Sequence, residues 1–579
     1  MADPRFTIGI DLGTTNTALA WTALDDPKSA PVSFAIEQVT NAGEHAARSL
    51  LPSFVYLPAD IELPAGSLSL PWDEGRTFAV GTFARDRASL VPGRVVSSAK
   101  SWLCHTGVDR RSALLPQQAP DDLTKLSPVE VSAHILRHLV QAWDAAHPDA
   151  PLAEQDVVLT VPASFDAVAR ALTEEAAKSV GLERLTLLEE PQAALYAWVA
   201  QRGEHWRKQV AVGDLILVID IGGGTTDFSL IEVKDDGGNL TLHRVAVGDH
   251  ILLGGDNMDL ALAHRLQAKL EDDGKSVDDW QLRALMHSCR AAKESLLEDA
   301  SLPSAAIVVP GRSSKLIGGT MKTELLREEL DDTLLHGFFP AVAADARPTA
   351  PRRAGLMTLG LPYAQDAGIT RHLAAFLHGR QPQRVLFNGG VTKSALLRER
   401  ILHIVNGWLS APLDELGSAD LDLAVAAGAA YYGRARTGKG VRIKGGASRA
   451  YYVGIERAEL AVPGVAPRVD AVCLAPLGME EGSEVLLPME LGLVVGEPAT
   501  FRFFSSTTRV NDAPSTTVDP KRSELTELSP IETTLEGPSG AVLPVRLQAR
   551  VTEVGTLELS AIESASGKKH KLEFNIRVE

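Results

Sequence analysis

IGIDLGTTNT (residues 8–17) and VIDIGGGTTDFS (residues 218–229) decide how this chain is read. Each begins as a short apolar strand, reaches an Asp, turns on glycine and continues through a Thr pair into an alternating apolar segment. A glycine-rich turn behind a buried strand presents backbone N–H groups to a phosphate, because no side chain blocks the approach and φ is free to be positive. Thr hydroxyls add donors. An Asp at the strand end can hold Mg2+ through water, since that ion dehydrates reluctantly. One such loop is as readily a tight structural turn. Two copies, about a domain length apart, point to two similar lobes that grip a triphosphate and its metal from both sides.

Outward from these loops the pattern alternates. VVLTV (157–161) reads as a strand ended by Pro162. A helix follows, with Val168, Leu172, Ala176 and Val180 at intervals of four and Gly181 as its C-cap. Upstream, Ser127, Pro128 and Glu130 form a capping box with Pro in the first turn, and Val131, Ile135, Leu139 and Trp143 line one face. Strands alternating with helices give an α/β class. Residues 260–330 read as mostly helical, and 422–432 as an Ala-rich helix. VLF (385–387) reads as a strand running into Asn388, Gly389 and Gly390. The stretch 345–370 reads as a surface insertion.

Near Gly433 the composition changes, and Gly, Lys and Arg in excess up to Ala450 mark a linker. Beyond Tyr451 the period becomes two: Phe501 and Phe503, then Leu557, Leu559 and Ala561, then Leu572, Phe574 and Ile576, with a turn at Ser566 and Gly567. The expected organisation is an α/β nucleotide-binding domain over 1–433, split near residue 210 into two lobes. A basic Gly-rich linker over 434–450 and an all-β domain over 451–579 complete it.

A chain of 579 residues exceeds one hydrophobic core. Lys plus Arg total 57 against 74 Asp plus Glu, a net charge of −17, which argues against nucleic-acid backbones and anionic membranes as partners. No apolar run has bilayer length. Cys104, Cys289 and Cys473 are scattered and odd in number, with neither disulfide nor metal spacing, as in a reducing compartment. The N-terminal MADPRF lacks a basic and apolar leader, so a cytoplasmic location is expected.

The segments IGIDLGTTNT, VVLTVPASFDAVAR, LLEEPQAALYAW, LVIDIGGGTTDFSL, HILLGGDNMD, CRAAKESLL, VLFNGGVTKS and DLAVAAGAA follow one another in order, with GTLELSAIESASGKKHKLEFNI near the end. In this the chain resembles the seventy-kilodalton heat-shock chaperone family (DnaK-like), as a divergent, lidless member. The resemblance implies an actin-like two-lobed ATPase domain followed by a β-sandwich substrate-binding domain. It implies slow ATP hydrolysis, with ADP as product, and a groove for unfolded or extended peptide. Because the sequence stops at Glu579, it also implies no helical lid and faster peptide release. J-domain co-chaperones and nucleotide exchange factors are the implied partners.

By the same resemblance, Asp11 and Asp220 hold Mg2+ through water and Asp227 a nearby cation such as K+. Gly13, Thr14, Thr15 and Asn16 form the first phosphate loop; Gly222, Gly223 and Gly224 cradle phosphate from the second. Thr225 helps place the attacking water, Glu190 orients metal-bound water, and Lys100 stabilises the γ-phosphoryl. Phosphoryl transfer is mostly positioning and charge neutralisation, which a Lys and a metal supply. Gly254, Gly255, Lys293, Gly389, Gly390 and Asp422 fall on the adenosine side. Departures lie there too. The family's adenosine helix carries Glu, Lys-Arg and Ser where this chain has Arg290, Lys293-Glu294 and Leu297, and a family Arg is Lys393. A Lys stacks on a base less well than an Arg. The linker GKGVRIKGGASR is basic where the family's is apolar and acidic. These departures favour an alternative, a nucleotide-regulated scaffold or exchange partner of another chaperone with little turnover. A small-molecule kinase on the same lobes is a third reading, but it has no use for the β-domain.

Overall fold

The computed structural model describes residues 3–574 except 27–28, 106, 237–238, 310–320, 350–360, 362, 418–419, 437–442, 445–446, 448, 458–459, 461–463, 465–466, 480–482, 510, 535–538 and 553–556. The first Asp–Gly loop joins β1 (Phe6–Leu12) to β2 (Asn16–Ala23), which pair antiparallel. On its other side β1 pairs in parallel with β3 (Asp156–Val161), and β3 with β4 (Leu185–Glu189). The second loop joins β5 (Leu215–Ile221) to β6 (Thr226–Asp236), again antiparallel, with β7 (Asn239–Val247) beyond it. Across β5 lie β8 (Arg384–Asn388) and then β9 (Asp414–Glu415), both parallel. The two sheets therefore repeat one order, with two parallel strands, the loop-bearing strand and its antiparallel partner in sequence.

The residues explain the central strands. Ile8 and Ile10 of β1 and Leu217, Ile219 and Ile221 of β5 are buried in two apolar cores, one per sheet. Near-continuous apolar runs are what strands covered on both faces require. Helix α1 (Ala99–Trp102) is a single turn entered through Ser98, whose φ of +55° is left-handed and strained for a non-glycine. Helix α2 (Pro128–Ala146) starts with the capping box expected from Ser127 and Glu130. Helix α3 (Ala167–Lys178) ends earlier than its apolar spacing suggests: Ser179 is the C-cap, and Val180 lies past the helix. Gly181, at φ +90°, makes the left-handed turn that follows. Helix α4 (Glu190–Arg202) packs against the Ala-rich α7 (Ala424–Arg436), with α5 (Gly255–Asp272) and α6 (Asp279–Glu298) between them in sequence. That contact is close: a Cβ on Gly428 would stand 1.7 Å from the Ala193 carbonyl oxygen, and one on Gly9 2.1 Å from that of Ala426.

Four expectations change. Residues 260–330 are not mostly helical throughout, because Ser304–Val309 and Met321–Leu326 pair as antiparallel strands. The β-branched run Ile307, Val308, Val309 outweighs the helical pattern upstream. The 345–370 stretch is not a bare surface insertion. Asp366 is buried, accepts the Thr349 and Gly368 amides at 2.8 Å each and pairs with Arg371, while Leu361 packs on the first core. The Ala-rich helix runs past Gly433 to Arg436, since Arg434, Ala435 and Arg436 beyond that glycine favour helix. Within the expected linker, Ile443–Lys444 pairs in parallel with β7, adding a strand to the second sheet.

The C-terminal part is antiparallel, in the strands β10 (Ala450–Glu456), β11 (Val469–Ala475), β12 (Pro498–Ser506), β13 (Thr526–Thr534), β14 (Ala541–Val551), β15 (Leu557–Glu563) and β16 (Lys569–Phe574). Phe503, Leu557, Leu559, Ala561 and Leu572 point inward as their period-two spacing requires, and Phe501 is partly buried. Gly567 turns at φ +72°; Ile576 lies outside the described residues. This part sits on α3: Ala167 shares an apolar cluster with Tyr451, Val453 and Phe503. Beside it, Arg449 Nη2 donates to the Ser164 carbonyl at 3.0 Å. No helix among the described residues is long and apolar enough to cross a membrane.

Candidate functional site

The duplicated topology brings both loops to one place. A Cβ on Gly223 would stand 2.1 Å from Thr15 Oγ1, and one on Gly224 2.8 Å from Thr14 Cγ2. Only glycine fits where the second loop meets the first. The first loop is braced by Ser53, whose Oγ donates to the Gly13 carbonyl at 2.7 Å and whose amide donates to the Thr15 carbonyl at 2.9 Å. In the second, the Gly222 amide donates to the Thr225 carbonyl at 2.9 Å. Gly254 and Gly255 pack beneath it: the Gly255 amide reaches the Gly222 carbonyl at 3.1 Å, and the Asp256 amide that of Gly223 at 2.7 Å. Gly389 closes behind β5 at φ +84°, where a Cβ would stand 2.4 Å from the Ile221 carbonyl oxygen. Gly390 has open space around it.

Charged side chains gather below these loops. Asp11 and Asp220 end β1 and β5; Asp227 lies directly across from Asp220 on β6. Lys100 on α1 is buried and ion-paired with Glu190, the first residue of α4. Burial pushes Asp11 up to about 7; Lys100 opposes the rise and Glu190 adds to it, while Thr160 Oγ1 donates to Asp11 Oδ1 at 3.1 Å. Burial, with Glu190 and the neighbouring Asp227 and Asp11 charges, also holds Asp220 well above the ordinary carboxylate range, although Asn388 Nδ2 donates to it at 2.7 Å. Burial alone would lower the Lys100 ammonium, but Glu190 and Asp11 outweigh it and raise it. Carboxylates crowded together out of water, and pushed towards their neutral form, mark a place where a cation is favoured.

On the outer side of the glycines the expected residues are tied to the protein. Lys293 Nζ pairs with Asp259 at 2.6 Å and donates to the Gly255 carbonyl at 3.3 Å. Arg290 bridges Asp259 and Asp256, and Lys393 pairs with Asp422. The sequence reading passed over Thr160, Asn388, Ser164 and Ser53. Asn388 had a signal, since VLFNGG repeats the strand–polar–glycine pattern of the two loops a third time. Ser164, whose Oγ donates to Asp227 Oδ1 at 2.5 Å, had none.

The family model described as Hsp70 protein matches residues 95–342, which hold Lys100, Glu190 and the second loop but not the first. A relative described as a chaperone protein HscA homolog, from Cupriavidus pinatubonensis, is 30% identical over 441 residues, 74% of this chain and 57% of the relative. The chain is an Hsp70-like family member. The HscA homolog of Cupriavidus taiwanensis is 33% identical to this Hsp70-like protein over 325 residues, 52% of the chain and 44% of the relative. Chaperone protein HscA of Pectobacterium carotovorum is 28% identical over 410 residues, 69% and 54% respectively. The Hsp70-like chain thus matches about half the length of these relatives.

Proposed function

We propose that this Hsp70-like protein is an ATP-dependent chaperone that binds ATP and ADP with Mg2+ between its glycine loops and hydrolyses ATP slowly. Two observations test the fit of the nucleotide. Thr15 Oγ1 is buried without a hydrogen-bond partner beside Gly223. Gly223 and Gly224, having no side chain, let the second loop close onto Thr15 and Thr14 of the first. Both suit phosphate oxygens at the junction of the loops. The observation that carries the reading is the cluster of Asp11, Asp220, Lys100 and Glu190 directly below it. Among the described residues no three His, Cys, Asp or Glu side chains are grouped as direct ligands of one metal. Mg2+ would be held through water by Asp11 and Asp220, since that ion dehydrates reluctantly, with a second cation such as K+ at Asp227. Bound Mg2+ neutralises phosphate charge. Lys100 supplies a fixed positive charge towards the γ-phosphoryl, Glu190 orients water, and Thr14, Thr15 and the amides of Gly222, Gly223 and Gly224 align the phosphates, with Thr225 beside the attacking water. On this reading the chain divides into an actin-like domain with two lobes split near residue 210 and a last helix that runs to Arg436, a connecting segment that lends Ile443–Lys444 to the second sheet, and a β-sandwich from Ala450 onward. That last domain holds extended peptide through main-chain hydrogen bonds. J-domain proteins, exchange factors and a cytoplasmic setting belong to the same proposal.

Lys100→Ala tests it: ATP turnover is lost while nucleotide binding persists. Normal turnover in that variant removes Lys100 from the chemistry. Release of a labelled peptide tests the coupling, and ATP is expected to accelerate it. A second reading, a nucleotide-regulated scaffold with little turnover, draws on the outer residues. Lys293 and Arg290 are already neutralised by Asp259 and Asp256, which leaves less to hold adenosine. Peptide binding without any response to nucleotide favours it.

A further inference from the structure

A cavity of about 170 Å³ lies where three parts of the chain meet, beside Ser164, whose Oγ donates to Asp227. Cys104 just past α1, Ser164 and Asp166 before α3, His250 after β7, and Arg449 and Leu528 of the C-terminal part line it. None of these side chains is used in the nucleotide reading. Two of them are incompletely satisfied. Arg449 is 8% exposed; its Nη2 donates to the Ser164 carbonyl at 3.0 Å and its Nη1 to Ser505 Oγ at 3.4 Å, while its buried Nε has no partner. No carboxylate among the described residues pairs with this guanidinium. The nearby acid, Asp166, is engaged by the Ala169 amide at 2.7 Å and by Arg110 at 3.6 Å. A permanent charge held out of water on neutral oxygens alone is costly.

His250 is the second. Ser164 Oγ has one proton and gives it to Asp227, so it receives the His250 Nδ1 proton at 2.8 Å. His250 Nε2 is buried without a hydrogen-bond partner. The cavity is therefore walled by a buried guanidinium lacking an anion and by the His250 imidazole, which has Asp227 and Cys104 as its charged or polar neighbours and an Nε2 without a hydrogen bond.

From this we infer that the cavity is a binding site for a small oxyanion of phosphate size. Its oxygens accept from Arg449. Hydrogen phosphate carries both acceptor oxygens and an O–H, so it satisfies His250 Nε2 whether that atom is protonated or bare. Size agrees, since a cavity of roughly 150 Å³ holds a six-carbon ring, and phosphate has fewer heavy atoms. The site joins the nucleotide-binding part to the seat of the β-strands through Arg449 and Leu528. It does not depend on the ATP reading, and its test omits nucleotide.

Cys104 makes the cavity readable. It is half-buried at the wall, whereas Cys289 and Cys473 are fully buried. A soluble alkylating reagent should therefore label Cys104 alone. The full chain is labelled with iodoacetamide in millimolar inorganic phosphate and, separately, in chloride of equal ionic strength. Phosphate is expected to slow labelling several-fold, and Arg449→Met, which keeps the stem and removes the charge, is expected to lose that protection. Equal rates in the two salts for the wild-type protein overturn the proposal without need of a variant, and show a cavity that holds water only. Titration calorimetry of inorganic phosphate, which needs no reactive thiol, must show a saturable site in the wild-type chain. The absence of heat overturns the proposal. So does a site that survives Arg449→Met, which would lie in the glycine loops instead.

Discussion

Glu189 and Glu190 are adjacent acids with separate environments. Glu190 turns to Lys100, while Glu189 is buried between Arg170, at 2.7 Å, and Arg244. Removing one partner of a buried pair strands the other charges, so Glu189→Ala should destabilise the fold by about 3 kcal/mol or more. Urea denaturation measures this, and a loss no larger than that of an exposed Glu→Ala control contradicts it. Asp11 yields a signed pH effect. An unfolded Asp releases its proton near pH 4, but in the fold Asp11 keeps it to about 7. Between those values the native state holds the extra proton, so stability without nucleotide or Mg2+ falls as pH rises and levels off above about 7. Asp11→Asn has no such proton, and thermal melts of the two proteins should diverge in slope across that window; parallel slopes would refute it. Both effects were half legible. The glycines, the Thr pairs and Asp11 are local to one stretch and show in it. The Ser164–Asp227 contact joins residues on different elements, and no local pattern encodes it.

At the scale of elements, α7 was legible as Ala-rich, and the reason for that composition is its depth. It lies against both β1 and α4, and its Ala426 and Ala430 pack directly on Ala18 and Ala20 of β2. A Cβ on Gly433 would stand 1.9 Å from Thr7 Cγ2. Gly428→Ala should therefore cost at least the ~1–3 kcal/mol typical of overpacking, despite the better helix propensity of Ala. A melting temperature equal to or above that of the parent protein would show that the helix can back away. The Ser304–Val309 and Met321–Leu326 pair was not legible, because a long helical pattern precedes it and the partners are separated in sequence. The pairing of Ile443–Lys444 with β7 was hidden for another reason, since a basic Gly-rich segment reads as solvated until an edge strand is known to lie beside it.

For the whole molecule, Ala167 and Arg449 are two of the residues that join the parts. Ala167→Glu places a charge in that apolar cluster without touching the glycine loops. Limited proteolysis between residues 436 and 450 should speed up in this variant while nucleotide binding stays unchanged; unaltered cleavage would mean that the parts are held together elsewhere. The repeated strand order of the two sheets carries a further consequence. Twin halves are interchangeable in design, but a nucleotide is not: one of its ends is a base and the other a chain of anions. A lopsided guest obliges its host to give up symmetry. The two matching Asp residues record that loss. Glu190 bears on both, but Asp11 has Lys100 and Thr160 beside it, whereas Asp220, its counterpart, has Asn388 and Asp227. On the proposed function, the half that holds Lys100 is the half committed to the reacting end.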